Sequence, residues 1–284
     1  MLYVYNMRLD RTMQDYHLHT SLCKHAVGEM EEYVETAIEN GISEICFSDH
    51  IPLPGGFDME HRLSPGDMEP YFEKISILKR RYREISILVG IEADYIEGYE
   101  EYLEGFFSTY PFDLVIMSIH FIKRWPPGQW VFDFEYTKKT IRQKYKDYLN
   151  VMTRGIRTGL FDIVGHLDLI KRRGFSLLNN NLNEVKQVLD AVSQQNMSIE
   201  VNLSGLWKPI NDLYPSLDII EMVVAKGIPL VMSSDAHSPE YVGACFDEIL
   251  NHLFNYKGLK MASYQRRQCT VNKLIQPEDD PFNR

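Results

Sequence analysis

No stretch of this 284-residue chain reaches the roughly 18 consecutive apolar residues of a membrane-spanning helix, so no membrane partner is expected. The opening MLYVYNMRLDRTM lacks a long apolar run and a small-residue cleavage site, and no secretory leader is expected. Cysteine is sparse. Cys23, Cys46, Cys245 and Cys269 are scattered with no CxxC pair, which suits reduced thiols in a cytoplasmic protein rather than a disulfide framework. Positive charge is in deficit: 30 Lys and Arg against 40 Asp and Glu give a net charge of −10 and a pI of about 5.4, so no nucleic-acid partner is expected. The short basic cluster KRRYR, Lys79 to Arg83, lies in a helix-like segment and reads as a solvated face. Acidity does not exclude an anionic substrate, because bound divalent cations reverse the local sign. With no composition shift and no low-complexity stretch, residues 1–284 read as one domain, with a core over about 13–262 and a polar tail ending EDDPFNR.

What the chain does have is alternation. Short β-branched runs are followed by longer amphipathic segments: MQDYHLH, SEICFSDH, ISILVGIEADY, FDLVIMSIH, FDIVGHLDLI, SIEVNLSG and PLVMSSDAH read as seven strands, each leading into a helix. Ser64 is expected as an N-cap with Pro65 at the first helical position. Seven βα units predict an α/β fold, either an open doubly wound sheet or a closed parallel barrel. An open sheet concentrates its site at one switch point, whereas a barrel draws it from many strand ends. Here nearly every strand run ends in a potential metal ligand, which favours the barrel.

Those ends carry His17 and His19, Asp49 and His50, Glu92, His120, His166, and Asp235 with His237. Residues two apart share a strand face, so His17 with His19, and Asp235 with His237, are expected to point into one mouth. Seven of the nine histidines fall at or just after a strand end; His61 and His252 do not, and are read as an ordinary loop and helix residue. Many imidazoles with a few carboxylates suit Zn, Mn or Fe(II) better than Mg or Ca. Cys23, between His19 and His25, is read as a bystander to the ions. Asp49 precedes a ligand position and is expected to orient a ligand.

The ordered set HLH with a following His25, then SDH, GIEADY, SIH, GHLD and SSDAH, resembles the PHP (polymerase and histidinol phosphatase) superfamily over about residues 13–262. SDHIPLP, GHLDLIKRRG and EVNLSGL are similar to its histidinol-phosphate phosphatase branch. The resemblance implies a distorted (β/α)7 TIM-like barrel with two to three divalent ions (Zn, Mn or Fe) at one face. It assigns His17, His19, Glu92 and Asp235 to the first ion. Glu92 then bridges to a second ion held with His120 and His166, and His25, His50 and His237 hold a third.

Ions of this kind activate water and clamp phosphoryl oxygens. Asp235 and His237 are the residues expected to move protons of the attacking water and the leaving alkoxide. In LIKRRG, Arg172 is the expected phosphate clamp, since a guanidinium binds two oxygens at once. The family commonly has an arginine after the Gly-Leu of NLSGL; this chain has Trp207 and then Lys208, so Lys208 is expected to substitute, and Arg62 is a further candidate. The implied activity is hydrolysis of L-histidinol phosphate, a small-molecule phosphate monoester. The alternatives are another phosphate ester (nucleotide, sugar phosphate or phosphotyrosine) or a non-catalytic metal-binding module.

Overall fold

The computed structural model describes residues 13–125, 130–133, 137, 140–173 and 178–273. The opening residues read for a leader, part of the RWPPGQW loop, the first turn expected for the fourth helix and the polar tail lie outside them.

The seven expected βα units are present. They are β1 (Gln14–Leu18) and α1 (Met30–Glu39), β2 (Glu44–Phe47) and α2 (Met68–Arg81), β3 (Ser86–Asp94) and α3 (Glu100–Thr109), β4 (Leu114–Ser118) and α4 (Ile141–Arg157). Then follow β5 (Ile163–Val164) and α5 (Leu178–Gln195), β6 (Ser198–Asn202) and α6 (Leu217–Ala225), and β7 (Leu230–Ser233) and α7 (Phe246–Leu253). Two further strands, β8 (Lys260–Gln265) and β9 (Gln268–Lys273), form a hairpin beside β7 that the sequence reading missed. Its turn gives no ordinary signal: Arg266 and Arg267 take φ of 50° and 63°, left-handed positions where Asn-Gly is usual.

The nine strands pair in sequence order, parallel from β1 to β8 and antiparallel for β8 with β9. The ladder does not close. Instead β1 meets the residues just after β7 at one bridge, Leu18 with Ala236, where the His19 N–H donates to Ala236 at 3.0 Å. Asp15 adds a side-chain tie there, accepting the N–H groups of Ser234 (2.9 Å) and Gly243 (3.1 Å). Burial pushes the Asp15 carboxyl up to about 6 against those hydrogen bonds.

Strands β1 to β7 are buried almost throughout, as expected of a parallel sheet covered by helices, whereas β8 is partly buried and β9 exposed over residues 268–272. The larger core cluster joins the sheet to helix residues such as Tyr33, Leu78, Tyr148 and Val188. A smaller one gathers Tyr16, Cys46, Leu88, Leu114, Ile116 and Ile163 with residues of β7 and β8. Tyr16 and Leu18, which strict alternation would place on one face, belong to different clusters because the β1–β2 register shifts between Asp15 and Leu18. Ser64 caps as expected: its hydroxyl and N–H both donate to Asp67 Oδ2 at 2.7 Å, and Pro65 opens the turn into α2. Among the described residues no helix is long and apolar enough to cross a membrane.

Candidate metal centre

Glu92, near the end of the long strand β3 and 1% exposed, is the hub. Its Oε2 lies 3.4 Å from His17 Nε2, 3.6 Å from His19 Nε2 and 2.7 Å from His50 Nδ1. Its Oε1 lies 3.0 Å from His166 Nε2 and 3.8 Å from His120 Nε2. One carboxylate therefore faces five imidazoles delivered from four strand ends, with His17 and His19 both coming from β1. Gly165 makes the β5 contribution possible: a Cβ there would lie 2.8 Å from Ile116 and 2.9 Å from Ser118 Oγ, so any larger residue would push His166 away from β4.

Asp235 completes the first group, with Oδ1 at 3.3 Å from His19 Nε2 and 3.9 Å from His17 Nε2. Its backbone, at φ 52°, is left-handed. Asp235 and His237 thus lie beyond the end of β7 and are brought together by a turn, not by the strand alternation the sequence suggested. His237 Nδ1 sits 3.0 Å from the Asp235 carbonyl, and its Nε2 lies 3.0 Å from His25 Nε2. His19 and His237 stack at 4.0 Å, and His25 and His50 at 5.3 Å between ring centres. The nine predicted ligands therefore share one site. His50 does not sit only with His25 and His237; it also clusters with Glu92 and His120.

The fit to a cation can be tested on distances. Nitrogen and oxygen ligands bound at roughly 2.0–2.2 Å around a tetrahedral ion stand about 3.3–3.6 Å from one another. The His17, His19, Glu92 and Asp235 contacts span 3.3–3.9 Å, close to that spacing. The buried atoms His17 Nε2, His19 Nε2 and Glu92 Oε2 have no hydrogen-bond partner among the described residues. Orphaned buried polar atoms are costly, and convergent ones are expected where an ion takes their lone pairs. The residues fit a cation.

Electrostatics agree. Burial lowers the pKa of His17, but the carboxylates of Glu200, Glu92 and Asp235 outweigh it and push it up to about 10. His19 is likewise raised, against burial, by Asp235 and Asp49. Glu92 and Asp235 are held well below the usual carboxylate range in spite of burial, by the histidines around them. Burial, joined by the charge on His19, pushes His50 down to about 3 and His237 below its ordinary value. Without an ion the carboxylates hold protons on His17 and His19, and a metal must displace them. Zinc affinity is therefore expected to climb as pH rises toward about 10, with a slope of about one or more in log affinity per pH unit. Calorimetry in buffers of different ionisation heat would register the released protons; a flat profile would contradict this.

A second ring of residues holds the ligands in place, and the sequence reading missed most of it. Glu200, in β6, lies with Oε2 2.9 Å from His17 Nδ1, and its other oxygen accepts the His166 N–H and Asn202 Nδ2. Asp94, two residues after Glu92 on the same strand face, holds His120 Nδ1 at 2.9 Å. Asp49 lies 3.5 Å from His19 Nδ1 and accepts from Thr20. An acidic residue inside a buried β-branched strand was the available signal for Glu200, and i, i+2 spacing was the signal for Asp94. Fixing the second nitrogen of a ligating imidazole typically matters ten- to a hundredfold in metal affinity. Glu200→Gln is expected to weaken zinc binding by about that factor, read by chelator competition; unchanged affinity would remove Glu200 from the account.

Cys23 is buried, and its thiol is drawn down, against burial, by His19 and His25. It lies close enough to His19 and Asp49 for the three to form a ligand-like group. The centre forms the floor of a cleft of about 470 Å³. Trp130 and Phe132 form part of its wall, Trp207 and Tyr241 another, the latter two stacked at 4.8 Å and 13°. Arg172 and Lys208 line the cleft, with Arg172 4.2 Å above the Phe132 ring and Lys208 Nζ 3.0 Å from Ser204 Oγ and 3.9 Å from Asp235 Oδ2. Arg62 also lines it, but is 2% exposed, and its donors go to Asp58, Asp94 and the Ile51 carbonyl. Asp58 in turn holds His61 Nδ1 at 2.6 Å, and His61, a loop residue as expected, lines the cleft.

A parallel α/β sheet whose strand ends deliver histidines and carboxylates to one buried cluster defines the class: an α/β protein with a multi-ligand metal centre. The PHP domain family matches residues 15–204. A probable histidinol-phosphatase of Deinococcus radiodurans is 32% identical over 254 residues, covering 89% of this chain and 97% of that protein. The histidinol-phosphatase of Bacillus subtilis is 31% identical over 263 residues, covering 84% of this chain and 98% of that one. Among solved structures, histidinol phosphate phosphatase of Lactococcus lactis, complexed with zinc, L-histidinol and phosphate, superposes with a TM-score of 0.77 at 21% identity, over 91% of this chain and 99% of that one. The chain belongs to the PHP family, in its histidinol-phosphatase group.

Proposed function

We propose that this chain is a metal-dependent phosphomonoesterase that hydrolyses L-histidinol phosphate to L-histidinol and phosphate. The observation that carries this is the Glu92 hub, with five imidazoles around one carboxylate at the floor of a cleft edged by Arg172 and Lys208. The end-to-end likeness to histidinol-phosphatases supports the substrate. We read the sheet as the distorted (β/α)7 barrel of the family with the β8–β9 hairpin beside β7, and residues 1–284 as one domain acting in the cytoplasm.

His17, His19, Glu92 and Asp235 would hold one ion, Glu92 with His120 and His166 a second, and His25, His50 and His237 a third; Zn, Mn or Fe would suit this donor set. Bound there, such ions lower the pKa of water toward 7 and neutralise the phosphoryl oxygens. The protein's own groups do the rest. Arg172 and Lys208 grip phosphoryl oxygens on the open side of the cleft. Asp235, which accepts from Ser204 and Asn202, takes the proton of the attacking water, and Asp235 or His237 returns one to the departing alkoxide. One water is consumed, and the alcohol and inorganic phosphate leave. The aromatic walls exclude water and offer faces to a flat leaving group.

A panel of phosphate monoesters on a metal-loaded sample tests this. Histidinol phosphate is expected to give the highest kcat/KM. A clear preference for a nucleotide, sugar phosphate or phosphotyrosine would move the substrate assignment, and no turnover with metals fully bound would favour a non-catalytic module.

A further inference from the structure

The two cations facing the cleft sit on separate loops. Arg172 lies on the short turn Leu169–Arg173 after β5, and Lys208 follows the turn Ser204–Trp207 after β6. Lys171, next to Arg172, is only 3% exposed. Its Nζ lies 2.7 Å from Asp212 Oδ2 and 3.0 Å from Asp168 Oδ2, donates to the Leu213 carbonyl, and sits 5.3 Å above the Tyr214 ring. Asp168 also accepts the Ser216 N–H at 3.1 Å. Apart from Asp168, every partner belongs to the segment 212–216 that returns from Lys208.

That return is tight. Tyr214 and Asn202 exchange backbone hydrogen bonds of 2.7 and 2.9 Å. A Cβ on Gly205 would lie 2.1 Å from the Asp212 carbonyl oxygen, so only glycine permits the fold-back. Burying an ammonium is costly even when it is paired, and apolar contacts would hold two loops together at less cost. What the ion pair adds is one defined geometry between them. We propose that Lys171 is a positioning residue for phosphate recognition: its clasp fixes the separation at which Arg172 and Lys208 meet the phosphoryl oxygens. This rests on the function proposed above.

The test is inorganic phosphate binding to the zinc-loaded full chain, by calorimetry and by competitive inhibition, in K171M and D212N, each made alone and in an R172A/K208A background. Asp212 is 40% exposed, so D212N loosens the clasp without stranding a buried charge, and it decides the matter if K171M fails to fold. Alone, each is expected to weaken phosphate about tenfold and to raise KM similarly, with zinc content unchanged and kcat within about twofold. In the R172A/K208A background neither is expected to add to the loss. No loss in D212N, or an equal loss in both backgrounds, overturns the inference. If instead R172A/K208A binds phosphate as tightly as wild type, the phosphate-clamp reading itself falls and takes this inference with it.

Discussion

Glu92→Ala is expected to strip the centre of tightly bound metal and to lower turnover by about a thousandfold or more. Glu92 is the largest single lever because, among the described residues, it alone lies within 4 Å of all five of His17, His19, His50, His120 and His166. Removing it leaves five imidazoles with less negative charge to offset a bound cation. The effect should exceed that of Glu200→Gln, which acts on the centre through His17 and a backbone N–H. Metal analysis and phosphate release on the same purified sample would check it. A Glu92→Ala protein with near-normal metal content and turnover would contradict the assignment of the hub.

Removing the metal from the wild-type protein is expected to produce the second large effect, on stability. Each ion that binds only the folded chain adds about 2.7 kcal/mol at a hundredfold excess over its Kd. For a chain of this size that is roughly 4–5 °C in Tm per ion. The buried ligands are drawn from β1, β3 and the loops after β2, β4, β5 and β7, so their loss is felt across the sheet. Scanning calorimetry before and after chelation, then after zinc is restored, reads the change. An unchanged Tm would mean that the cluster is satisfied without an ion.

The ligands were legible because strand patterns ended in histidine or acid at regular intervals, and His17 and His19 met the two-residue rule as expected. Asp235 and His237 converged for a different reason, a left-handed turn after β7 that spacing does not reveal. His50 was found, but its contact with Glu92 depends on the β2–β3 register, where the two residues form a bridge. Glu200 was hidden because attention to strand ends passes over acids within a strand, and Asp94, the last residue of β3, was passed over in favour of Glu92 two residues earlier; their role shows only when the imidazole beside them is placed. Arg62 was expected as a phosphate candidate, yet it is buried against Asp58 of its own loop and the distant Asp94 at the end of β3. Long-range pairing of this kind has no local sequence signature. The β8–β9 hairpin escaped notice because its Arg-Arg turn replaces the residues that normally announce one.

The histidine–carboxylate cluster is, on this account, a metal-dependent phosphatase centre. Stepwise zinc addition to metal-free protein, with bound metal and phosphate release from histidinol phosphate measured on the same sample, tests it directly. Turnover should be absent without metal and rise to its plateau as the second and third ions per chain are bound. Full turnover in protein shown to be free of metal would contradict the account.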